Sequence, residues 1–205
     1  MRTLVIDTAT RACSVALFDG DLCLASAHEI IGRGHAERLL PLIDALPQKG
    51  RADQIMVNVG PGSFTGIRVG VSAAKALAFV WSAQAHGYNC LHLVAAMAAA
   101  RSSFPVDVVM NGGHGEYFFQ TFDASGVGVD LPAAVSPDIA AQRSSSPVIA
   151  GDAADAFAAM TRAVHVFDML PNAQKWPLIK SAAYLPPRPF YGRAPDAKPT
   201  VTAPT

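Results

Sequence analysis

The stretch "TLVIDTATRACSVALFDGDLCLASAHE", residues 3–29, decides the fold class of this chain. Its first segment, "TLVIDT", is an apolar run that predicts a buried strand. The segment "ACSVALFDGDLCLASAHE" predicts two further strands joined by a turn at Asp19–Gly20, a dipeptide favoured in tight hairpins. Three strands that follow one another directly predict an antiparallel β-meander at the start of the chain.

Helices and one more strand are predicted downstream of the meander. Residues 34–47, "GHAERLLPLIDALP", carry apolar residues at helical spacing, and Pro41 either bends this helix or belongs to a first turn that starts later. Residues 53–60, "DQIMVNVG", predict an apolar strand that leads into a glycine-rich loop and a helix from about Ile67 to Ser82. The Ala-rich residues 91–101 predict another helix.

A second strand-rich block begins near Pro105. The segments "VDVVM", "EYFFQTFD", "SPVIAG" and "AVHVF" predict strands, "DAADAFAAMTRA" predicts a helix with Asp152 as its N-cap, and "AQKWPLIKSAAYL" predicts a broken helix. From residue 186 the proline density predicts an extended tail, lying along a surface or disordered. We therefore predict an α/β chain with a ribonuclease H-like lobe at 1–103, a shorter lobe at 104–185 and a tail at 186–205.

Composition narrows the classes of function. Of the 205 residues, 51% are hydrophobic and 16% charged, which favours a buried core together with apolar surface kept for a partner. The formal net charge is zero, so no basic excess supports nucleic-acid binding by this chain alone. We see no signal peptide, and Lys75 interrupts the richest apolar segment, so a cytoplasmic protein without a membrane span is expected. The three cysteines lack CxxC spacing and are expected to be buried free thiols.

The glycine-rich loop "NVGPGSFTGIRVG", residues 58–70, invites a phosphate-binding interpretation. It fits neither the P-loop spacing nor GxGxxG, since Gly60, Gly62 and Gly66 give GxGxxxG. A weaker interpretation is contact with an anion at the start of the following helix, through Ser63, Thr65 and Arg68. The alternative is that Ser63 or Thr65 caps the helix and the glycines form a tight turn.

The helix after this loop carries small residues at every fourth position, namely Gly66, Gly70, Ala74 and Ala78. Such positions form one ridge on a helix, and a ridge without large side chains lets another backbone come close. Because Val71 and Leu77 make the helix apolar on further sides, it is either central to the core or shared with another subunit. An ordinary helix packed on the sheet remains the alternative.

Candidate chemistry elsewhere is sparse. In the actin–Hsp70–sugar kinase superfamily, the turn after the first strand lies near the bound phosphate and metal. The segment "DTAT" places Asp7, Thr8 and Thr10 in this turn, so they are candidates for nucleotide contact. The alternative is that these side chains hydrogen-bond their own turn. The six histidines never pair at HxxH, HExxH or HxxxH spacing, so we predict no metal site and no catalytic residue. Glu116 could bind a ligand or cap the turn before it.

Four motifs resemble the TsaB (YeaZ) family: "LVIDTAT…SVALF", "GHAERLLPLI", "VNVGPGSFTGIRVGVSAAKALA" and "YGRAPDAKP". The resemblance implies an actin/Hsp70-like fold and a non-catalytic subunit for threonylcarbamoyl transfer to tRNA adenosine next to the anticodon. It also implies that the chain pairs with a TsaD-like catalytic subunit and a TsaE-like ATPase, and that it forms homodimers when alone. The chain would contact tRNA only through the complex. ATP or ADP would bind, at most, at a subunit boundary of that complex. Docking would use helices of the first lobe, so the predicted partner interface is Gly66, Gly70, Val71, Ala74, Leu77, Ala78, His35 and Leu39.

Two departures accompany the resemblance. The HxxxH metal motif that TsaD-like chains carry after the glycine-loop helix is absent, because His92 has no histidine four residues away. The family's Asp-Ala-Arg turn is replaced by Asn111-Gly112-Gly113-His114, and only Glu116 aligns. The competing hypothesis is a self-associating actin-like nucleotide-binding protein with weak ATPase activity, using Asp7 and the glycine-rich loop.

Overall fold

The computed structural model describes residues 1–103, 105–181 and 184–192. It contains two five-stranded sheets of order β3-β2-β1-β4-β5 and β10-β9-β6-β7-β8. The strands are β1 (Arg2–Asp7), β2 (Ala12–Asp19), β3 (Leu22–Ile30), β4 (Gln54–Asn58), β5 (Gln84–Tyr88), β6 (Val106–Gly113), β7 (Glu116–Phe122), β8 (Ala133–Val135), β9 (Val148–Ala150) and β10 (His165–Phe167). The α-helices are α1 (His35–Asp44), α2 (Phe64–Trp81), α3 (Cys90–Ala99), α4 (Pro137–Arg143) and α5 (Ala154–Ala158).

The first sheet confirms the predicted meander. Strands β1, β2 and β3 pair antiparallel, and β4 then pairs parallel with β1. The sequence analysis missed β5, whose residues "QAHGY" are too polar to predict a buried strand. Gly87 in β5 is needed for packing, because a Cβ there would overlap the Val59 side chain. This strand extends the parallel half of the sheet by one position.

Helices cover both faces of the first sheet. On one face α1 and α2 bury Leu39, Ile43, Ile67 and Val71 against β1, β2 and β4, and Pro41 lies inside α1. On the other face α3 lies beside a 3-10 helix at Ala173–Ile179.

The second half of the chain returns to the first sheet. The 3-10 helix Ala173–Ile179 falls within the predicted second lobe, 104–185, yet Trp176 is buried with Phe18, at 6.0 Å between ring centroids. The large indole thus finds its apolar partners on the first sheet, while the predicted lobe bounds stay a prediction.

The second sheet is centred on β6, with β9 parallel on one side and β7 antiparallel on the other. The predicted helix after β9 begins later than expected, because its cap residue is Ala153 and its first helical residue is Ala154. Asp152 is therefore not the N-cap. Its Oδ1 accepts a hydrogen bond from the Asn111 backbone N–H at 2.8 Å, and this contact ties β6 to the loop after β9.

Residues 184–192 form an extended strap, and this part of the predicted tail lies along a surface. Leu185 bridges to Gly87 in β5, and the Phe190 N–H donates to the Val59 carbonyl at 2.8 Å. The Gly192 carbonyl then accepts from the Ala134 N–H at 3.0 Å. The strap thus joins the two lobes across one end of the space between them. The remainder of the tail, including "RAPDAKP", lies outside the described residues.

Candidate functional site

A cleft of about 900 Å³ lies between the lobes. Its first-lobe wall comes from the turn after β1 and from the glycine-rich loop with the start of α2. Its second-lobe wall comes from the end of β6 and from Asp152, and the strap contributes Tyr191. Of the six residues predicted to contact an anion or nucleotide, Thr10, Ser63 and Arg68 line this cleft.

Asp7 does not reach the cleft. Its carboxylate is completely buried and accepts hydrogen bonds from Asn58 Nδ2 at 2.7 Å, Tyr88 Oη at 2.8 Å and the Ala9 N–H at 3.3 Å. Burial raises the pKa of Asp7 to about 6, although the hydrogen bonds from Asn58 and Tyr88 lower it. The Asp7 oxygens already serve as acceptors inside the first lobe, and the predicted contact of Asp7 with nucleotide stays a prediction.

Thr8 is likewise buried, and its hydroxyl donates to the Gly66 carbonyl at 2.7 Å. The nucleotide contact predicted for Thr8 likewise stays a prediction. Thr10 is half-buried at the cleft wall, where its Oγ1 accepts from the Ala12 N–H at 3.2 Å. The first-strand turn therefore hydrogen-bonds itself and its neighbour helix, as the alternative interpretation held.

The glycine-rich loop packs directly on the first-strand turn. The Ser63 N–H donates to the Ala9 carbonyl at 2.6 Å, and a Cβ at Gly62 would overlap that same carbonyl oxygen. Ser63 caps α2, since its Oγ accepts from the Gly66 N–H at 3.2 Å. The capping interpretation is confirmed for Ser63, while Thr65 is exposed and outside the cleft lining.

Arg68 is held at the cleft by aromatic residues. Its guanidinium carbon lies 3.9 Å from the centroid of the Phe64 ring, and its Nε donates to the Tyr191 hydroxyl at 3.1 Å. Phe64 and Tyr191 themselves approach to 4.7 Å between ring centroids. The sequence analysis missed both rings. Phe64 stands within the quoted loop and could have been found, but Tyr191 is 123 positions from Arg68 and gives no local signal.

The second-lobe wall contains the divergent turn. Asn111, Gly112, Gly113 and His114 all line the cleft, and His114 adopts a left-handed backbone with φ of 52°. Glu116, which follows the turn, is paired with Gly113 across the hairpin and does not line the cleft. The residues in which this chain departs from the family motif thus face the glycine-rich loop across the cleft.

Most of the predicted partner interface is buried within this chain. The ridge Gly66, Gly70, Ala74 and Ala78 lies against its own sheet, and Cβ atoms at Gly66 and Gly70 would overlap the Thr8 carbonyl and hydroxyl oxygens. Val71 and Leu39 are core residues, Leu77 packs against the core, and His35 is buried with Nε2 3.1 Å from the Ala12 carbonyl. Seven of these eight residues are buried by the chain itself and Leu77 is half-buried, and their contact with a partner stays a prediction.

Three large apolar side chains are exposed on the outward side of α1 and α2, among charged residues such as Glu37 and Lys75. Phe79 and Val80 are 87% and 72% exposed near the end of α2, and Leu40 is 54% exposed on α1. We call these three residues the outer patch. Helix α2 is also long and apolar enough to span a membrane by length and composition, but its inner side is packed in the core.

The described cysteines and histidines are possible metal ligands, because both residue types bind metal ions. Cys13 and Cys90 are buried and Cys23 is half-buried, all three as free thiols. His92 stacks on Phe122 at 5.5 Å, and burial lowers the pKa of its imidazole. Within residues 1–103, 105–181 and 184–192, no group of three or more His, Cys, Asp or Glu side chains could hold a metal ion.

The known proteins that this chain resembles are described as proteins of tRNA threonylcarbamoyladenosine synthesis. The matching family is described as "TsaD: tRNA N6-adenosine threonylcarbamoyltransferase", and its model covers residues 27–178. The tRNA threonylcarbamoyladenosine biosynthesis protein TsaB of Escherichia coli (strain K12) is 35% identical over 159 residues, which cover 70% of this chain and 66% of that protein. The TsaB protein of Haemophilus influenzae is 44% identical over 82 residues, or 37% of this chain and 34% of that protein. The matched region therefore spans less than two thirds of each of these relatives.

A solved structure shows the same fold. YeaZ from Pseudomonas aeruginosa superposes with a TM-score of 0.78 at 24% identity, over 93% of this chain and 99% of that chain. With its two mixed sheets and their covering helices, this chain has the two-lobed actin/Hsp70-like fold that the sequence predicted. The chain belongs to the TsaB (YeaZ) family, within the wider family that the TsaD description covers.

Proposed function

We propose that this chain is a non-catalytic partner subunit of the machinery that installs the threonylcarbamoyl group on tRNA adenosine next to the anticodon. It pairs with a TsaD-like catalytic subunit and assembles with a TsaE-like ATPase in the cytoplasm, and it forms homodimers when alone. Transfer RNA is engaged by the assembled complex. The names of its relatives, proteins for tRNA threonylcarbamoyladenosine biosynthesis, support this assignment.

The observation that carries the proposal is the outer patch. Leu40 lies on α1 and Phe79 and Val80 lie near the end of α2, two helices that contact each other on one face of the first sheet, and all three side chains are exposed. Exposed aromatic and aliphatic side chains on rigid helices are typical anchors of protein–protein interfaces. This surface replaces the buried ridge as the proposed docking site for the catalytic subunit.

The competing hypothesis of a nucleotide hydrolase is less well supported. It needs Asp7 to reach a nucleotide or its metal ion, but the Asp7 carboxylate is enclosed by Asn58, Tyr88 and Ala9. Asp152 is the sole carboxylate among the described residues that line the cleft, and Asn111 already donates to it. A phosphoryl-transfer site requires metal ligands and a group that activates the attacking water.

The direct experiment is reconstitution with the TsaD-like and TsaE-like partners, with and without this chain, scoring modified tRNA. The variant Phe79→Asp places a charge in the proposed interface. Because truncating or charging an interface anchor costs about 2 kcal/mol or more, affinity for the TsaD-like partner should fall at least about thirtyfold. Modified tRNA should fall in parallel at limiting concentrations.

The matched control is Leu131→Asp, which charges an equally exposed aliphatic side chain, 83% exposed, in the second lobe. It should leave both co-purification and tRNA modification unchanged. If Phe79→Asp folds normally and still binds the partner like the unsubstituted chain, the assignment of the docking surface is wrong. If the partners modify tRNA equally well without this chain, the subunit role itself is wrong.

A further inference from the structure

We propose that the strap, residues 184–192, is a latch between the two lobes that opens as one unit while both lobes stay folded. In the closed form, which the structure shows, Tyr191 lines the cleft and the strap covers one end of it. In the open form Tyr191 and Gly192 leave the cleft wall, so that this end of the cleft becomes accessible. The proposal goes beyond the partner role, because it gives this chain a conformational change of its own.

The end of the closed strap fits between the lobes. A Cβ at Gly192 would come within 2.9 Å of the Pro61 Cβ and 3.2 Å of the Phe118 ring, so its backbone lies between the glycine-rich loop and β7. Its φ of 63° is a left-handed conformation that glycine adopts without strain. Its carbonyl accepts from the Ala134 N–H at 3.0 Å. Gly192 therefore contacts both lobes at once.

Tyr191 holds the strap to the start of α2. Its hydroxyl accepts from Arg68 Nε at 3.1 Å, and its ring lies 4.7 Å from the Phe64 ring between centroids. Arg68 and Phe64 are themselves exposed, so water can replace these contacts when the strap leaves. The contacts favour the closed form without making it permanent.

Few hydrogen bonds hold the rest of the strap. Leu185 exchanges two backbone hydrogen bonds with Gly87 in β5, at 2.7 and 2.9 Å, and Phe190 donates one to Val59 at 2.8 Å. Tyr184, Leu185 and Phe190 remain exposed, so closing the strap buries little apolar surface. Within the described part of the chain, no ion pair joins the strap to either lobe. Such a segment opens at a lower free-energy cost than that of global unfolding.

Proline residues make the strap behave as a unit. Pro186, Pro187 and Pro189 restrict φ along its middle, so the strap stays stiff when it is released. A stiff segment also loses less conformational entropy when it closes again. The contacts at Leu185 and at Gly192 should therefore break and form together.

Native-state hydrogen exchange on the full chain tests the latch, because two amides of the lobes donate to strap carbonyls. The Gly87 N–H donates to Leu185 in the first lobe's half of the contact, and the Ala134 N–H of the second lobe donates to Gly192. We expect both amides to be at least about a hundredfold less protected than those of the central strand β1. Their exchange should also depend less on low concentrations of urea, because local opening exposes little surface. Protection equal to that of β1, with the same urea dependence, would overturn the proposal.

The decisive variant is Tyr191→Ala, which removes both contacts to α2. It should lower the protection of Gly87 and Ala134 by the same factor, about tenfold. The matched control is Phe79→Ala, which removes an exposed aromatic ring from the other end of α2 and should change neither amide. If Tyr191→Ala does not fold, Tyr191→Phe removes only the hydroxyl and should lower both by about threefold. Loss of protection at Ala134 without loss at Gly87 would contradict opening as a unit, and no loss at either amide would likewise overturn the proposal.

Discussion

The Thr8 side chain holds the first-strand turn to the start of α2, because its hydroxyl donates a 2.7 Å hydrogen bond to the Gly66 carbonyl. The two backbones also lie close together, since a Cβ at Gly66 would overlap the Thr8 carbonyl oxygen. One turn further along, a Cβ at Gly70 would overlap the Thr8 hydroxyl. The glycines of this helix thus permit the close approach that positions one wall of the cleft.

We expect Gly66→Ala to destabilise the fold. The added methyl group meets a carbonyl that is fixed within the first-strand turn, so the overlap should cost about 1–3 kcal/mol or more of unfolding free energy. This should exceed the gain of up to about 1 kcal/mol that alanine brings inside a helix. Urea denaturation measures the difference.

The matched control for this substitution is Ser72→Ala, on the exposed side of the same helix. It should be neutral or slightly stabilising, since alanine is the better helix former and nothing is overpacked. Equal stability of Gly66→Ala and Ser72→Ala would show that the first-strand turn yields to the extra methyl group, contrary to the packing described above.

These glycines show what the sequence can and cannot predict about α2. A recurrence of small residues every fourth position indicates that another backbone comes close, and this was correct. It cannot tell whether that backbone belongs to the same chain, because Thr8 in the first-strand turn lies 58 positions before Gly66 in sequence. The outer patch escaped prediction for a related reason, since Phe79 and Val80 look like core residues until the burial of the opposite side is known.

The meander and the fold class depend on local apolar runs, which is why they could be predicted. The cleft depends on residues that only the folded chain assembles. Ser63 and Arg68 were identified from the loop, but Tyr191 arrives from the strap and the Asn111–His114 turn arrives from the second sheet. The surroundings of Asp7 were also beyond prediction, because Asn58 and Tyr88, which donate hydrogen bonds to its carboxylate, lie 51 and 81 positions away in sequence.

The buried carboxylate of Asp107 should stabilise the second lobe. Asp107 is fully buried and accepts five hydrogen bonds, from the Thr121, Ser144 and Ser146 hydroxyls and from the Ser145 and Ser146 N–H groups, at 2.7–3.1 Å. Asp107→Asn turns one acceptor into a donor that faces other donors. We expect a loss of about 3 kcal/mol of unfolding free energy, measured by urea or thermal denaturation.

Two further variants test whether the hydrogen bonds to Asp107 stabilise the fold. Thr121→Val removes one of the five donors and should cost about 1 kcal/mol. Asp123→Asn changes an acidic residue that also accepts several hydrogen bonds, but in a turn open to solvent, and its effect should be smaller than that of Asp107→Asn. If Asp107→Asn is as stable as the unsubstituted chain, the hydrogen bonds around this carboxylate contribute nothing net.

The pH dependence of stability should report the burial of Asp7. Because burial raises the pKa of Asp7 from 3.8 to about 6, the folded state binds a proton more tightly than the unfolded state. Its contribution is therefore fully present below about pH 4 and is lost as the pH rises through about 6. At 1.36 kcal/mol per pKa unit, the loss amounts to about 3 kcal/mol between these limits.

This contribution can be separated from those of other groups by comparing variants. Hydrogen bonds from Lys180 and Arg38 lower the pKa of Asp21 and Glu29, respectively, so these two carboxylates add stability as the pH rises. Because both carboxylates are present in every variant, their contribution cancels in the comparison. Asp7→Asn should therefore gain stability relative to the unsubstituted chain as the pH rises from 4.5 to 7.5, measured as urea midpoints at both pH values. Tyr88→Phe removes a donor that lowers the pKa of Asp7, so it should steepen the loss of stability with pH. Parallel pH curves for Asp7→Asn and the unsubstituted chain would mean that Asp7 does not titrate differently in the folded and unfolded states.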